Sequence, residues 1–395
     1  MAKKPAPKKT KKAAAKKTTF KTGKLNTHNG RKPIPAILMA YSESDFTNPH
    51  EAMTAQEPKD CRGDFTHMGA KYWGYESRRH MATRVTDGAE SLDFNHAAHN
   101  WMIIGLKKRA VIDAVTISTK WYTGNQVQAA SVFLIDDLEG TQVQVLDRAK
   151  LKPDSEHVFK VKASVATEVY VELYYEGGLS RINFFGELAD TQLPERRNLL
   201  DGAKISHVSN IHYGVPDRAV GGDRQQMYMY GWESARTGYG EQAVFHLKKP
   251  AVIDEVIVDT YLHRLNAPMT AHVYGLNAND KGVKGKKLDA LMKLAPKWSL
   301  VFDGDKHVVP KDFKDYMLNQ KYLKEKGVVD TQQFQIVLHL PEGSPWQPVI
   351  PFAPLSPDTY HRYRDVYDAG PVTHVLYMHY DNGGIHGLKM FGTEG

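Results

Sequence analysis

The chain has 395 residues, of which 41% are hydrophobic, and a formal net charge of +7. This length exceeds one ordinary core and suits two domains of about 150 to 190 residues each. The single cysteine, Cys61, excludes an intrachain disulfide, and no apolar run is long enough to span a bilayer. These features predict a soluble protein of a reducing compartment, and we expect it in the cytoplasm.

The positive charge is concentrated at the N-terminus. Residues 1–24 hold ten lysines and no acidic residue, so the rest of the chain carries a formal charge of −3. A segment built from Lys, Ala, Pro and Thr buries too little apolar surface to offset its ordering entropy, which predicts disorder over residues 1–34. Residues 1–24 either bind nucleic acid or another polyanion, or serve only as a solubilising extension.

Three segments of the first half return in the same order in the second half. They are Gly74–Arg79 with Gly231–Arg236, Lys107–Asp113 with Lys248–Asp254, and Glu176–Gly186 with Asn382–Gly392. Matched segments in one order predict two copies of one domain. We place the copies at residues 35–190 and 197–395, and the second carries an insert at about residues 277–345.

Strand patterns dominate both copies in chain order. The β-branched runs are Ala110–Thr119, Glu168–Tyr175, Ala251–Thr260 and His374–Tyr380. Short strands separated by Gly, Asn and Pro predict an all-β protein whose domains are antiparallel sandwiches or jelly rolls. Copy one has extra residues around Met81–Ala98, and the insert in copy two contains a short amphipathic helix predicted over Lys311–Gly327.

Several of these segments resemble the repeats of the allantoicase family. The matching stretches are Gly74–Arg79, His99–Trp101, Gly124–Asn125, and the Gly177–Gly178 turn with Arg181, and in copy two Gly231–Arg236 and Gly383–Gly384. The resemblance covers nearly all of residues 37–395. It implies an all-β protein of two tandem jelly-roll, galactose-binding-like β-sandwich domains. It also implies hydrolysis of allantoate to ureidoglycolate and urea in allantoin and purine catabolism, and a homo-oligomer.

The sequence departs from the family pattern at several polar positions. Trp73 and Tyr230 occupy the position of an aspartate in the family, and Gly387 stands where copy one has Arg181. Copy two has Glu241 where copy one has Asn100. Copy one therefore retains more of the family's polar residues.

Hydrolysis of allantoate requires a cation for the substrate carboxylate, polar groups for the ureido groups, and a base. The resemblance implies four catalytic residues, Glu76, Arg79, His99 and Arg181, and four substrate-binding residues, Trp121, Asn125, Glu233 and Arg236. The alternative for the first pair is an internal ion pair between Glu76 and Arg79 that pins the loop, with Tyr75 or Trp232 packed in the core.

Two further patterns leave alternatives open. His96 and His99 either bind a metal or shuttle a proton, or belong to a polar surface loop, and a lone H-x-x-H without a second cluster leads us to expect no metal and no cofactor. Trp121 and Tyr122 follow a strand, and they form either a stacking platform for a planar group or packing at the rim.

A second function is a non-catalytic duplicated jelly roll that binds or assembles, with a Lys-rich tail that contacts nucleic acid or another polyanion. Convergence of Glu76, Arg79, His99 and Arg181 in one pocket would favour an enzyme, and their scattering would favour assembly.

Overall fold

The computed structural model describes most of the chain in two compact units. These are the segment up to Leu38 with Ser42–Thr191, and Met39–Tyr41 with Gln192–Gly395. The described residues are 24–44, 46–66, 69–78, 82–86, 88–93, 99–222, 224–236, 240–302, 306–308 and 334–395. Residues 1–23 and the helix predicted over residues 311–327 lie outside them. No helix in these ranges is both long and apolar enough to cross a membrane.

The first unit, repeat 1, is built from antiparallel strands. Its strands are β1 Ala36–Tyr41, β2 Phe65–Thr66, β3 Gly69–Ala70, β4 Tyr75–Glu76, β5 Ala82–Thr86, β6 Ala89–Asp93, β7 Asn100–Ser118, β8 Ala129–Asp136, β9 Thr141–Lys150, β10 Glu156–Tyr174, β11 Gly178–Leu179 and β12 Arg181–Leu188. The main sheet has the order β1-β7-β10-β8-β9, with β12 also on β7. Small pairs β4–β11, β2–β3 and β5–β6 flank it, and a 3₁₀ turn spans Pro49–Met53.

Both ends of the long strand β7 lie at one end of repeat 1. The side-chain amide of Asn100, the first residue of β7, donates to the Tyr175 carbonyl at 3.1 Å. Ser180 N donates to the carbonyl of Ser118, the last residue of β7, at 2.8 Å. The turn after β10 therefore joins the two ends of β7, and we call this the loop end of the repeat.

The second unit, repeat 2, has the same plan with an insert. Its elements are β13 Lys204–Val208, β14 Tyr213–Gly214, α1 Pro216–Val220, β15 Trp232–Glu233, β16 Glu241–Asp259, β17 Thr270–Leu276, α2 Leu288–Met292, β18 Lys297–Phe302, β19 Lys306–Val308, β20 Phe334–His339, β21 Gln347–Pro354, β22 Tyr360–Tyr363, β23 Val372–Tyr380, β24 Gly384–Ile385 and β25 Gly387–Glu394, with a 3₁₀ turn at Tyr228–Tyr230. The main sheet runs β13-β16-β23-β17-β21, with β22 and β25 on β16. Two further sheets, β14-β15-β24 and β19-β18-β20, complete the unit.

The two repeats share local contacts as well as strand order. The hydroxyl of Thr119, after β7, donates to the Ser155 carbonyl, and that of Thr260, after β16, donates to the Thr359 carbonyl. Tyr75 and Trp232 occupy matching positions and are each 0% exposed, so these large aromatic side chains belong to the core. The predicted all-β class with two jelly-roll sandwiches is confirmed.

The prediction of disorder through residue 34 is wrong for residues 24–34. Glu57 N donates to the Lys24 carbonyl at 2.9 Å, and Asn26 N donates to the Ala55 carbonyl at 2.7 Å. Arg31 donates to both carboxylate oxygens of Asp113, at 2.8 and 2.7 Å. The prediction from composition considered only the apolar surface that the segment could bury, whereas hydrogen bonds hold this segment in place. We call residues 24–31 the N-terminal strap.

The insert of repeat 2 contains more strand than the sequence predicts. Its described part includes α2 and the sheet β19-β18-β20. Trp298 of β18 packs against His272 and Tyr380, with ring centroids 4.7 and 5.0 Å apart. The insert is therefore anchored on β17 and β23 of the main sheet.

Candidate functional site

Glu76 and Asn125 are in direct contact at the loop end of repeat 1. Asn125 Nδ2 donates to Glu76 Oε1 at 2.8 Å. Glu76 lies on β4, which pairs with β11 so that Glu76 faces Gly178. Ser77 fixes this pair, because its N–H donates to the Gly177 carbonyl at 3.1 Å and its hydroxyl accepts from Gly177 N at 3.0 Å. The carboxylate of Glu76 is thus held by an amide on a neighbouring loop. Arg79 lies outside the described residues.

Tyr122 packs inside the repeat, whereas Trp121 lies at the rim. Tyr122 is 0% exposed, and its hydroxyl lies 3.1 Å from the Tyr75 carbonyl, to which it donates. Burial raises the pKa of Tyr122 well above its ordinary value of 10. Trp121 Nε1 donates to the Pro58 carbonyl at 3.2 Å, and the Arg62 guanidinium lies 4.5 Å from the Trp121 ring centroid. Tyr122 is therefore part of the core packing, and Trp121 is half-buried at the rim between polar neighbours.

His99 lies beside a carboxylate at the start of β7. Its Nε2 is 3.6 Å from Glu172 Oε1 and 3.4 Å from the Tyr170 hydroxyl. Its ring lies 5.6 Å from that of Tyr174. The pair places an imidazole next to a carboxylate, an arrangement that general acid–base catalysis uses. His96 lies outside the described residues, and the described residues contain no group of three or more His, Cys, Asp or Glu placed to hold a metal.

A pocket of about 590 Å³ lies between the N-terminal strap and the loops that follow β7 and β9. Its wall includes Asn26, Glu57, Lys120, Trp121, Glu156 and Arg181. Arg181 is only 5% exposed. Its two terminal nitrogens donate to the Gln56 carbonyl at 2.7 Å and to Glu156 Oε1 at 2.8 Å. The buried Nε of the same guanidinium has no hydrogen-bond partner among the described residues.

The predicted residues of repeat 1 that the structure describes therefore fall into three neighbourhoods of one loop end. Arg181 and Trp121 line the pocket. Glu76 contacts Asn125, and His99 contacts Glu172. The residues converge on the same end of the repeat without sharing one pocket wall.

In repeat 2 the predicted residues lie on the equivalent turn. Glu233 is the last residue of β15 and pairs with Gly384. Ser234 N donates to the Gly383 carbonyl at 2.8 Å, as Ser77 does to Gly177. Arg236 follows and is exposed. The turn is thus conserved between the repeats, but its charged side chain at position 236 faces solvent.

A guanidinium that the sequence did not predict stands near the Gly387 position. Arg224 donates to both carboxylate oxygens of Asp259, at 2.7 and 3.0 Å. Gly387 pairs with Asp259, just as Arg181 pairs with Ser118 in repeat 1. Since Arg224 lies 35 positions from its partner, no local motif signals the contact.

Repeat 2 also buries acids and imidazoles that sequence patterns missed. Glu241, at the position of Asn100, is 4% exposed and accepts from the Ser209 hydroxyl. Burial raises the pKa of Glu241, and burial lowers the pKa of His379 to about 3 and that of His263 to about 4. These groups occupy strand and loop positions where repeat 1 has uncharged residues. The sequence comparison identifies the exchange of Asn100 for Glu241, and the structure adds that these groups are buried.

Two jelly-roll units that repeat one set of loop-end contacts define a duplicated jelly-roll protein, with a polar cluster and a pocket in its first repeat. The allantoicase repeat matches residues 32–189 and 197–395, one match for each unit. The chain belongs to the allantoicase family.

Individual relatives are distant. A probable allantoicase of Acinetobacter baumannii (strain ACICU) is 26% identical over 270 residues, covering 62% of this chain and 80% of the relative. The allantoicase of Saccharomyces cerevisiae is 24% identical over 263 residues, covering 60% of this chain and 72% of the relative. The crystal structure of the yeast protein aligns with 92% of this chain and 91% of its own, with a TM-score of 0.32 and 18% identity.

Proposed function

We propose that this protein hydrolyses allantoate to ureidoglycolate and urea. The observation that carries the proposal is the family match across both repeats, residues 32–189 and 197–395. The relatives named allantoicase support the same reaction. The reaction breaks one bond between the central carbon and a ureido nitrogen, forms a bond from that carbon to the oxygen of water, and places a proton on the departing nitrogen.

The loop end of repeat 1 offers groups for each of these steps. Glu76 is the base that takes a proton from water, with Asn125 holding its carboxylate at 2.8 Å. His99, beside Glu172, donates a proton to the departing urea. Arg181 binds the substrate carboxylate, since a guanidinium suits that anion.

The remaining proposed residues assist binding. Trp121, in the pocket wall, flanks a planar ureido group. Arg79, three positions after Glu76 in the sequence, is proposed as a second cation for the substrate carboxylate. Glu233 and Arg236 are proposed as the corresponding substrate contacts of repeat 2. We propose these roles without assigning a metal or a cofactor to any of them.

The test is urea release from allantoate by the purified chain and by the variant Glu76→Gln. Loss of a general base lowers turnover by about 10²- to 10⁴-fold, so we expect a fall of this size. Glu139→Gln is the matched control, because the Glu139 side chain is 64% exposed and lies in the turn between β8 and β9. Wild-type turnover in Glu76→Gln would overturn the role of this carboxylate.

A second candidate function is a non-catalytic binding module. It is favoured by the position of Glu76 and His99 outside the pocket wall that contains Arg181. If the wild-type chain binds allantoate and releases no urea under any condition, the binding module replaces the enzyme.

We also propose that residues 1–24 bind nucleic acid or another polyanion, supported by their ten lysines and absence of acids. Deleting residues 1–23 is expected to remove salt-sensitive binding to duplex DNA and to heparin.

We also propose a cytoplasmic location for the protein. The single cysteine, Cys61, which is buried, supports this proposal.

Self-association into a homo-oligomer is proposed as well. Exposed apolar side chains of repeat 2 support it, namely Leu265 at 97%, Phe352 at 64% and Met269 at 63% exposure. Sedimentation velocity of the full chain measures it, and a monomer at micromolar concentration would contradict it.

A further inference from the structure

The loop end of repeat 2 contains an indole where repeat 1 has an imidazole. His99 and Gly240 are equivalent, because each directly precedes the first residue of the long strand in its repeat. In repeat 1 the His99 ring lies 5.6 Å from the Tyr174 ring. In repeat 2 the Trp298 ring lies 5.0 Å from the ring of Tyr380, the counterpart of Tyr174. The indole therefore packs on the same tyrosine position as the imidazole of repeat 1.

Trp298 fills the space that a side chain at position 240 would need. A Cβ on Gly240 would lie 1.8 Å from both Cδ1 and Nε1 of Trp298. Gly240 also has a φ of +79°, which residues with a Cβ rarely adopt. Trp298 itself is 8% exposed, and its ring lies 4.7 Å from that of His272 at an interplanar angle of 79°. The absence of a side chain at position 240 is therefore a condition for the indole to enter.

The surroundings of the indole in repeat 2 are apolar, whereas those of the imidazole in repeat 1 are polar. Glu172, which contacts His99, corresponds to Met378. Met378 is 1% exposed and belongs to the same buried cluster as Trp298. Trp298 comes from β18 of the insert, which repeat 1 lacks in sequence. A segment specific to repeat 2 thus covers this end of the fold with an aromatic side chain.

The buried position of Trp298 leaves a hydrogen-bond donor unused. Within the described ranges Trp298 Nε1 is buried and has no acceptor. Trp346, in the same cluster, donates instead from Nε1 to the Leu291 carbonyl at 3.1 Å. A buried N–H without an acceptor is unfavourable, so ring packing rather than hydrogen bonding holds Trp298 in place. A side chain held in this way can be displaced by another aromatic ring.

We propose that the loop end of repeat 2 is a binding site for a planar, uncharged aromatic ring, and that Trp298 is its built-in occupant. The insert is a plug, because β18 places the indole against the rings of His272 and Tyr380 and directly over Gly240. Displacement of β18 opens the site to a ring supplied from outside. The inference does not depend on the proposed function, which assigns the proton transfers to repeat 1.

Calorimetric titration of the full-length variant Trp298→Ala with indole tests the binding site. Because the site is then empty, we expect saturable binding of one indole per chain and a melting temperature that rises with indole concentration. The wild type is expected to bind indole at least about tenfold more weakly, since its own side chain occupies the site. Trp101→Ala is the control, because Trp101 is only half-buried on β7. Folded Trp298→Ala that binds no indole, or binds it no better than Trp101→Ala, overturns the site.

A second variant, Gly240→Ala, tests the plug with the tryptophan in place. The readout is ¹⁹F NMR of the full chain labelled with 5-fluorotryptophan, and Trp298→Phe assigns the Trp298 resonance by its absence. A Cβ at position 240 is expected to expel the indole, so this resonance should gain the solvent isotope shift of an exposed ring. Gly222→Ala is the matched control, because Gly222 also has a positive φ, +60°, but a Cβ there meets nothing within 4 Å. A Trp298 resonance that stays buried in Gly240→Ala overturns the plug.

The outcomes are independent of the proposed hydrolysis, because neither experiment measures urea release. Indole binding to Trp298→Ala together with expulsion of the ring in Gly240→Ala supports the plug even if allantoate is not hydrolysed. Failure of both overturns the plug even if the wild type hydrolyses allantoate.

Discussion

Replacing His379 with leucine is expected to make repeat 2 less sensitive to acid. His379 is 0% exposed. Its Nε2 lies 3.4 Å from Ser234 Oγ, and its ring lies 4.9 Å from that of Trp232. In repeat 1 the equivalent residue is Leu173, since each of them pairs with the first residue of the long strand in its repeat. Leucine therefore fits this position of the fold.

The expected magnitude follows from the pKa of His379. Burial, with added repulsion from His263 and His272, lowers it to about 3, whereas an unfolded chain has a histidine pKa of about 6.5. Between these pH values the histidine is protonated in the unfolded state and neutral in the folded state. The free energy of unfolding is therefore unaffected by this group above pH 6.5 and falls as the pH decreases below that value. At pH 5 this one group lowers the free energy of unfolding by about 2 kcal/mol.

The assay is urea unfolding at pH 8 and pH 5, with native-state hydrogen exchange of the β23 amides to report on repeat 2 alone. The difference between the two pH values is expected to shrink by about 2 kcal/mol in His379→Leu. His212→Leu, at an exposed histidine of the same repeat, is expected to leave it unchanged. An equal pH difference in the wild type and in His379→Leu would refute the argument that burial of this imidazole causes the acid sensitivity.

Two further substitutions test the loop ends. Gly178→Ala is expected to destabilise repeat 1 by about 1–3 kcal/mol or more, because the new Cβ would lie 2.1 Å from the Tyr122 ring. Gly124→Ala is the control, because a Cβ at Gly124 would meet nothing within 4 Å. Equal melting temperatures of the two variants would contradict the clash. Glu241→Gln is expected to raise the free energy of unfolding at pH 8, by about 1.4 kcal/mol for each unit by which burial raises the Glu241 pKa. Because the folded-state pKa of Glu241 is raised, ionising this carboxyl at a pH above its ordinary pKa of 4.5 lowers the stability of the wild type. The stability gain of Glu241→Gln should therefore vanish near pH 4 in urea titrations. A gain that does not depend on pH would point to packing instead.

Much of the fold could be predicted because its patterns are local and occur twice. The runs Ala110–Thr119 and Ala251–Thr260 coincide with the second halves of β7 and β16. Their alternation reflects burial against each sandwich core, which a period of two residues encodes directly. The recurrence of Gly-Tyr-Glu-Ser as Gly-Trp-Glu-Ser places Tyr75 and Trp232 at equivalent core positions. Each repeat therefore supports the interpretation of the other.

The pocket could not be predicted, because its contacts join distant and dissimilar segments. Asn26 meets Thr116 and Asn183, which lie 90 and 157 positions away. Composition placed Asn26 in a disordered tail, since it has few apolar neighbours. Whether Trp121 or Tyr122 faces the core was also undetermined by sequence, because both are aromatic and adjacent. The complete burial of Tyr122 and the hydrogen bond of its hydroxyl to the Tyr75 carbonyl resolve it.

The two repeats use a guanidinium at the end of the long strand in different ways. In repeat 1, Arg181 belongs to the strand that pairs with Ser118, and its Nε faces no acceptor in the described part of the chain. In repeat 2, Arg224 comes from a preceding loop, donates twice to Asp259 and lies 4.6 Å from the Tyr261 ring centroid. Arg224 is thus held by both oxygens of one internal carboxylate, whereas Arg181 gives only one of its nitrogens to Glu156. We therefore expect calorimetry to give one carboxylate ligand per chain, and a stoichiometry of two would mean that Arg224 leaves Asp259 to bind a second.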